Sequence, residues 1–189
     1  MQASAQWIAE AVSGRLVGND VPVTGPVVTD SREAQAGSLY VARRGESADG
    51  HAFVSGAATR GAVAAIVEHE VDEAVAQIVV EDSTEALGAL ARAHVEKLRS
   101  SGDLDVIAMT GSVGKTTTKD LLLQIMSEDG PTVAPKLSFN NEVGLPLTVL
   151  LADESTRHLV LEMGASAPGH ITYLTDIVAP DVAIELCVG

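Results

Sequence analysis

The segment Thr110 to Thr117, TGSVGKTT, limits the fold more than any other stretch of the chain. An apolar run, Val106 to Met109, leads into it, and a helical pattern beginning at Lys115 leads out. A strand, a glycine turn and a helix carrying Gly-Lys-Thr at their junction make a phosphate-binding loop. Gly111 and Gly114 let the backbone N–H groups of Thr110, Gly111, Ser112, Val113 and Gly114 turn toward an anion, and the helix start adds partial positive charge. Lys115 is expected to reach the β- and γ-phosphates of a nucleotide, most simply ATP, with Thr117 completing the loop. The Thr116 hydroxyl is a suitable ligand for Mg²⁺, which takes hard oxygen donors. The full eight-residue phosphate-loop pattern would place its first glycine at Met109, so this is the shorter TGxxGKT form.

That loop needs a parallel sheet, and the sequence after Asp105 alternates strand and helix patterns as such a sheet requires. Strands are predicted at 106–109, 132–134, 158–162 and 182–186, and helices at 115–126, 144–151 and 169–177. The first hundred residues read as a smaller α/β unit. Helices are predicted at 3–13 and 51–59, short strands at 38–42, 64–67 and 77–80, and a long helix from 83 with Ser83 as its cap. The polar run Ser100–Asp103 separates the two patterns, giving domains at 1–101 and 102–189. The predicted class is α/β: a small N-terminal domain followed by a phosphate-loop-type parallel-sheet domain.

Composition removes several functions. Hydrophobic residues make up 46% of 189 residues, enough for a packed core, while aromatics are 3%, so that core is aliphatic. The net charge of −14 and the absence of a Lys/Arg cluster argue against nucleic acid and anionic membrane surfaces. No run of 18 apolar residues suggests a membrane span, and the N-terminus lacks the basic start of a signal peptide. Cys187 is the only cysteine, which excludes an intrachain disulfide and suits a reducing compartment. It is expected to be a small core residue in a buried strand.

Further polar residues fall where ligands of open parallel sheets bind, outside the carboxyl ends of the strands. Glu162 closes the strand HLVLE and could hold Mg²⁺, though a glutamate at a strand end, taken alone, reads more readily as a surface group. Asn140 and Asn141 lie in a polar loop on the same edge and serve equally as nucleotide contacts or turn formers. In the first unit Arg32 fits either a diphosphate or a surface ion pair. His51, His158 and His170 are read as packing or capping residues.

Four segments together resemble the Mur ligase family: TGSVGKTTTKD (110–120), SFNNEVGLPLTVL (138–150), LEMGASAPGHITYLTDIVAPDVA (161–183) and TDSREAQAGSLYVARRGESADGHAF (29–53). The resemblance implies an ATP-dependent amide-bond-forming ligase of peptidoglycan synthesis, hence of cell-wall biogenesis, cell shape and cell division, working in the cytoplasm. Its implied substrates are UDP-N-acetylmuramoyl-tripeptide and D-alanyl-D-alanine, joined through an acyl phosphate. It implies Lys115 and Glu162 as catalytic residues, Thr116 and Glu162 at Mg²⁺, and Asn140 and Asn141 beside ATP. Ser31, Arg32, Asp49, Gly50 and His51 are implied at the UDP end. Val113 stands where many members carry Asn, and Ala165-Ser166-Ala167 replaces a more polar run. Members also continue past the position of Gly189 with a histidine-containing loop, a carbamylated lysine and a third domain. The resemblance therefore implies an incomplete ATP-binding domain, a fragment unable to complete ligation alone. Two alternatives stay open on sequence: a non-catalytic nucleotide or UDP-sugar module, and another phosphate-loop NTPase, which would leave residues 1–100 unexplained.

Overall fold

In a computed structural model, which describes residues 1–45, 48–135 and 138–187, the chain divides into two units, Met1–Leu90 and Ala91–Gly189. The last two residues, and with them the predicted end at Gly189, lie outside the described residues.

The first unit runs β1 (Ala3–Ser4), α1 (Ala5–Ala11), β2 (Arg15–Val17), β3 (Pro22–Val23), β4 (Val27–Val28), β5 (Ser38–Val41), α2 (Val54–Thr59), β6 (Ala62–Val67) and β7 (Ala76–Val79). α3 (Ser83–Ser101) begins in this unit and ends in the second. Five strands form one sheet in the order β2-β7-β6-β5-β4, parallel except at β2–β7, and β1 pairs with β3. Leu39, Ile66 and Ile78 are fully buried, each worth about 1.5–3 kcal/mol of transfer free energy. The helix predicted at 51–59 starts instead as a 3-10 turn, Gly50–Phe53, before α2. Ser83 is not the cap of α3. Asp82 Oδ1 accepts the N–H groups of Thr84 and Glu85 at 2.7 and 2.9 Å. The Ser83 backbone N–H and hydroxyl both donate to Glu68 Oε1.

The second unit continues β8 (Asp105–Thr110), α4 (Lys115–Asp129), β9 (Thr132–Val133), α5 (Gly144–Val149), β10 (His158–Glu162), α6 (His170–Val178) and β11 (Val182–Glu185). Its four strands are all parallel, in the order β11-β8-β10-β9. Leu122 and Met126 of α4 pack on Ile107, Met109 and Val160 of the sheet. β11 departs from the sequence reading. It lies at the sheet edge, three of its four residues are exposed, and Cys187 just after it is exposed too. An apolar pattern reports what a strand can bury, whereas its place at the edge decides what is covered. Among the described residues no helix is long and apolar enough to cross a membrane.

One buried group makes the stability of this unit depend on pH. The His94 ring is 4% exposed, and its Nε2 donates to the Ala152 carbonyl at 2.8 Å. Burial pushes its pKa below the ordinary 6.5, against the opposing pull of that carbonyl. Unfolding returns the ring to water, where it takes up a proton that the folded ring refuses. The unfolded state binds more protons, so stability is fully present above pH 6.5 and falls as pH drops toward the folded-state pKa. Urea denaturation between pH 7.5 and 5 should show the wild-type chain losing more stability than His94→Gln. Equal losses would mean that other groups set the acid limit.

Candidate functional site

The register of the second sheet builds a cleft. Parallel pairing sets Glu162 level with Met109, so the ends of β8 and β10 release their chains side by side. Gly111 and Gly114 then take φ values of +145° and +88°, where an L side chain would be strained. Gly114 precedes α4 as its N-cap, and no side chain caps the helix start. The first N–H groups of this 15-residue helix therefore have no side-chain oxygen as partner. The Lys115 ammonium folds back to donate to the Gly111 carbonyl. Thr110 donates through its hydroxyl to Met163 O at 3.0 Å, tying the loop to the residue after Glu162.

The resulting cavity is about 580 Å³ and is lined in part by Thr110, Gly111, Ser112, Lys115, Asn140 and Asn141. Asn141 Oδ1 accepts the N–H groups of Val143 and Gly144, holding the entry to α5. Asn140 lies against Gly164, where an added Cβ would come within 2.8 Å of its Oδ1. Val113 is exposed at the loop tip, and Thr117 occupies the first turn of α4.

Glu162 is the buried acid of this site. It is 1% exposed, Thr116 Oγ1 donates to its Oε2 at 3.4 Å, and Oε1 has no hydrogen-bond partner among the described residues. A buried carboxylate costs several kcal/mol unless something compensates it. The unpartnered oxygen beside a threonine hydroxyl fits a hard divalent cation such as Mg²⁺. No group of three or more His, Cys, Asp or Glu among the described residues forms a self-sufficient metal cage.

Two features here were not singled out as site residues from the sequence. Lys119 is 3% exposed and donates to Pro135 O at 3.0 Å, with Asp120 Oδ1 at 2.6 Å. Its only sequence signal was its position one turn after Lys115. His170, Glu142 and Ser166 also line the cleft. The Ser166 N–H donates to His170 Nδ1, which leaves the ring proton on Nε2 to face Glu142 Oε2 at 3.1 Å. His158 is structural: its ring is held 2.9 Å from Asp129 and 3.3 Å from Asp105.

The first unit has its own cleft, about 490 Å³, lined by Ser31, Arg32, Tyr40, Arg43, Gly50 and neighbours. Asp49 and His51 are not in that lining and are engaged with each other. Asp49 Oδ1 accepts the His51 N–H at 2.9 Å and His51 Nδ1 at 2.6 Å. The Glu68 N–H donates to His51 Nε2, so the buried ring is fixed in one tautomer. Arg32 grips Asp30 through Nε and a terminal nitrogen at 2.6–3.1 Å. The Arg32 guanidinium holds the Asp30 carboxyl down to about 2. The Tyr40 hydroxyl donates to Gly50 O, and burial, then the nearby carboxylates, push its pKa up to about 12.

Comparison with known proteins finds matches in both units. Residues 26–95 match the model of the Mur ligase family, catalytic domain, and residues 109–189 match the Mur ligase middle domain. A Bacillus subtilis protein named UDP-N-acetylmuramoyl-tripeptide--D-alanyl-D-alanine ligase is 38% identical over 96% of this chain and 40% of its own length. A Synechocystis protein of the same name is 36% identical over 86% of this chain and 36% of its own. A crystal structure of MurF from Acinetobacter baumannii superposes with a TM-score of 0.91 at 36% identity, covering 100% of this chain and 42% of that one. The Thermotoga maritima MurF ligase in complex with ADP gives 0.77 at 37% identity, over 88% of this chain and 38% of that one. The chain thus spans about 40% of the length of these relatives. With two consecutive domain models and structural agreement along its own length, the chain belongs to the Mur ligase family.

Proposed function

We propose that this chain supplies the UDP-substrate and ATP-binding parts of a cytoplasmic ligase that adds D-alanyl-D-alanine to UDP-N-acetylmuramoyl-tripeptide. Residues 1–101 form the substrate-binding domain and 102–189 contribute to the ATP-binding domain. The observation that carries this reading is the shared cleft at the ends of β8 and β10. There the uncapped start of α4 and Lys115 border one cavity, and the Thr116–Glu162 pair adjoins it without being part of its lining. Such a site suits phosphoryl transfer, in which the protein mainly positions groups and neutralises charge.

In this reading ATP, with Mg²⁺, supplies the phosphoryl group that activates the substrate carboxylate. Lys115 and the loop N–H groups between Thr110 and Gly114 hold the phosphates, except that of Ser112, which donates to the Cys187 carbonyl at 2.8 Å, with Thr117 in the first helical turn. Thr116 and Glu162 hold the cation, and Asn140 and Asn141 border the nucleotide. The cleft bearing Ser31, Arg32 and Gly50 takes the UDP end, while Asp49 and His51, outside its lining, act through their neighbour Gly50. The names of the relatives support the choice of tripeptide and D-alanyl-D-alanine as substrates.

Isothermal titration separates the two clefts. Mg·ATP and UDP-N-acetylmuramoyl-tripeptide are each expected to bind with one-to-one stoichiometry, and saturation with one should not block the other. A chain that binds Mg·ATP but gives no heat with the UDP substrate would remove the ligase assignment and leave a nucleotide-binding module.

A further inference from the structure

We propose that Arg43 is the principal anion ligand of the first unit's cleft and that it receives the pyrophosphate part of the bound molecule. The inference deepens the reading above and rests on it for the uridine part of the ligand only.

Two cations line this cleft, Arg32 and Arg43. Arg32 is already engaged, with three hydrogen bonds to Asp30 at 2.6–3.1 Å. Turning it to a phosphate exchanges one charge-assisted pair for another. It also leaves the Asp30 carboxylate, itself part of the lining, facing an anion. Arg43 is placed differently. It is half-buried, and its Nε donates to Thr84 Oγ1 at 3.0 Å. No carboxylate among the described residues pairs with it. The chain carries 26 acidic residues against 12 Lys and Arg, so a half-buried guanidinium with no carboxylate partner among the described residues is not explained by a shortage of acids. Arg44, the next residue, shows the ordinary outcome: it is exposed and pairs with Glu68 at 3.0 Å.

The surroundings fix Arg43 from both ends. The Gly50 N–H donates to the Arg43 carbonyl at 2.8 Å. Gly50 packs so closely that a Cβ there would stand 2.6 Å from Arg43 O and 2.7 Å from its N. At the far end Thr84 is held by Asp82, whose Oδ1 accepts its N–H at 2.7 Å. With Nε committed to Thr84, the two terminal amino groups keep four N–H donors in a fixed plane. That is an arrangement for donating to two phosphate oxygens with little ordering cost. The Asp30–Arg32 pair then serves neutral polar groups of the ligand, such as hydroxyls or a base edge.

Titration of the 189-residue chain tests this, with Lys115→Ala in every sample so that the loop in the second unit does not capture the probes. The probes are inorganic pyrophosphate, UDP and uridine. Arg43→Ala is expected to weaken pyrophosphate and UDP about tenfold or more, the size of one lost charge-assisted contact, and to leave uridine unchanged. Thr84→Val, which releases the guanidinium without removing it, should weaken the same two probes by a smaller factor. Arg43→Lys should restore only part of the loss, because an ammonium lacks the planar fork. If Arg43→Ala fails to fold, Thr84→Val and Arg43→Lys still decide the question. Pyrophosphate that does not bind the parent, binds Arg43→Ala equally well, or depends more on Arg32 than on Arg43 overturns the proposal. UDP binding no tighter than pyrophosphate, with both lost in Arg43→Ala, would instead overturn the uridine assignment and keep Arg43 as the anion ligand.

Discussion

Replacing Lys115 by alanine is expected to weaken Mg·ATP binding by roughly 10- to 150-fold while leaving the fold and the first unit's cleft intact. The side chain stands at the first position of α4, where the helix N-terminus faces the cavity. Its ammonium spends its nearest hydrogen bond on the Gly111 carbonyl. That keeps the loop closed and the charge inside the cleft. A hydrogen bond to a charged group contributes about 1.5–3 kcal/mol, and each 1.4 kcal/mol is a factor of ten in affinity, which gives the stated range. The fold should tolerate the change, because alanine is the best helix former and position 115 is only half-buried. Titration of Mg·ATP gives the affinity, and thermal unfolding checks that the protein is intact. An ATP affinity within twofold of wild type would mean that the loop does not hold the phosphates through Lys115.

The contrast between what the sequence announced and what it concealed follows from the range of the interactions. The strand 158–162 and the helix from Lys115 are set by local pattern, and both begin where that pattern places them. The loop conformation was equally legible, since glycine at 111 and 114 is the residue that accepts positive φ. The burial of Glu162 was not. Its depth depends on the register that sets it beside Met109, a pairing across 53 residues of chain. The same holds for Lys119, whose buried amine is explained by Pro135 on another segment, and for β11, whose apolar sequence does not reveal its edge position. In the first unit, Arg32 and Arg43 look alike in sequence. Only the fold shows one bound to its neighbour Asp30 and the other to Thr84, 41 residues away.

Glu162→Gln is expected to raise the thermal stability of the second unit without ligand and to abolish the extra stabilisation that Mg²⁺ brings to nucleotide binding. The two effects have one cause. The carboxylate is 1% exposed, with one oxygen near Thr116 and the other without a hydrogen-bond partner among the described residues. Desolvating such a charge costs several kcal/mol even after local relaxation. The neutral amide has the same shape, keeps an oxygen for Thr116 and escapes most of that cost. Relief of 1 kcal/mol should raise the midpoint by about 2–4 °C for a chain of this size. With Mg·ATP bound the sign reverses. A divalent cation compensates the wild-type carboxylate and stabilises the folded state by mass action, whereas the amide offers it no charge. Calorimetric scans of both proteins, alone, with ATP in chelator and with Mg·ATP, resolve these terms. The wild type should gain more from Mg·ATP than from ATP alone, and the variant should gain the same from each. A variant that is less stable without ligand, or that keeps the full Mg²⁺ increment, would show that the buried carboxylate serves the packing of β10 and not a cation.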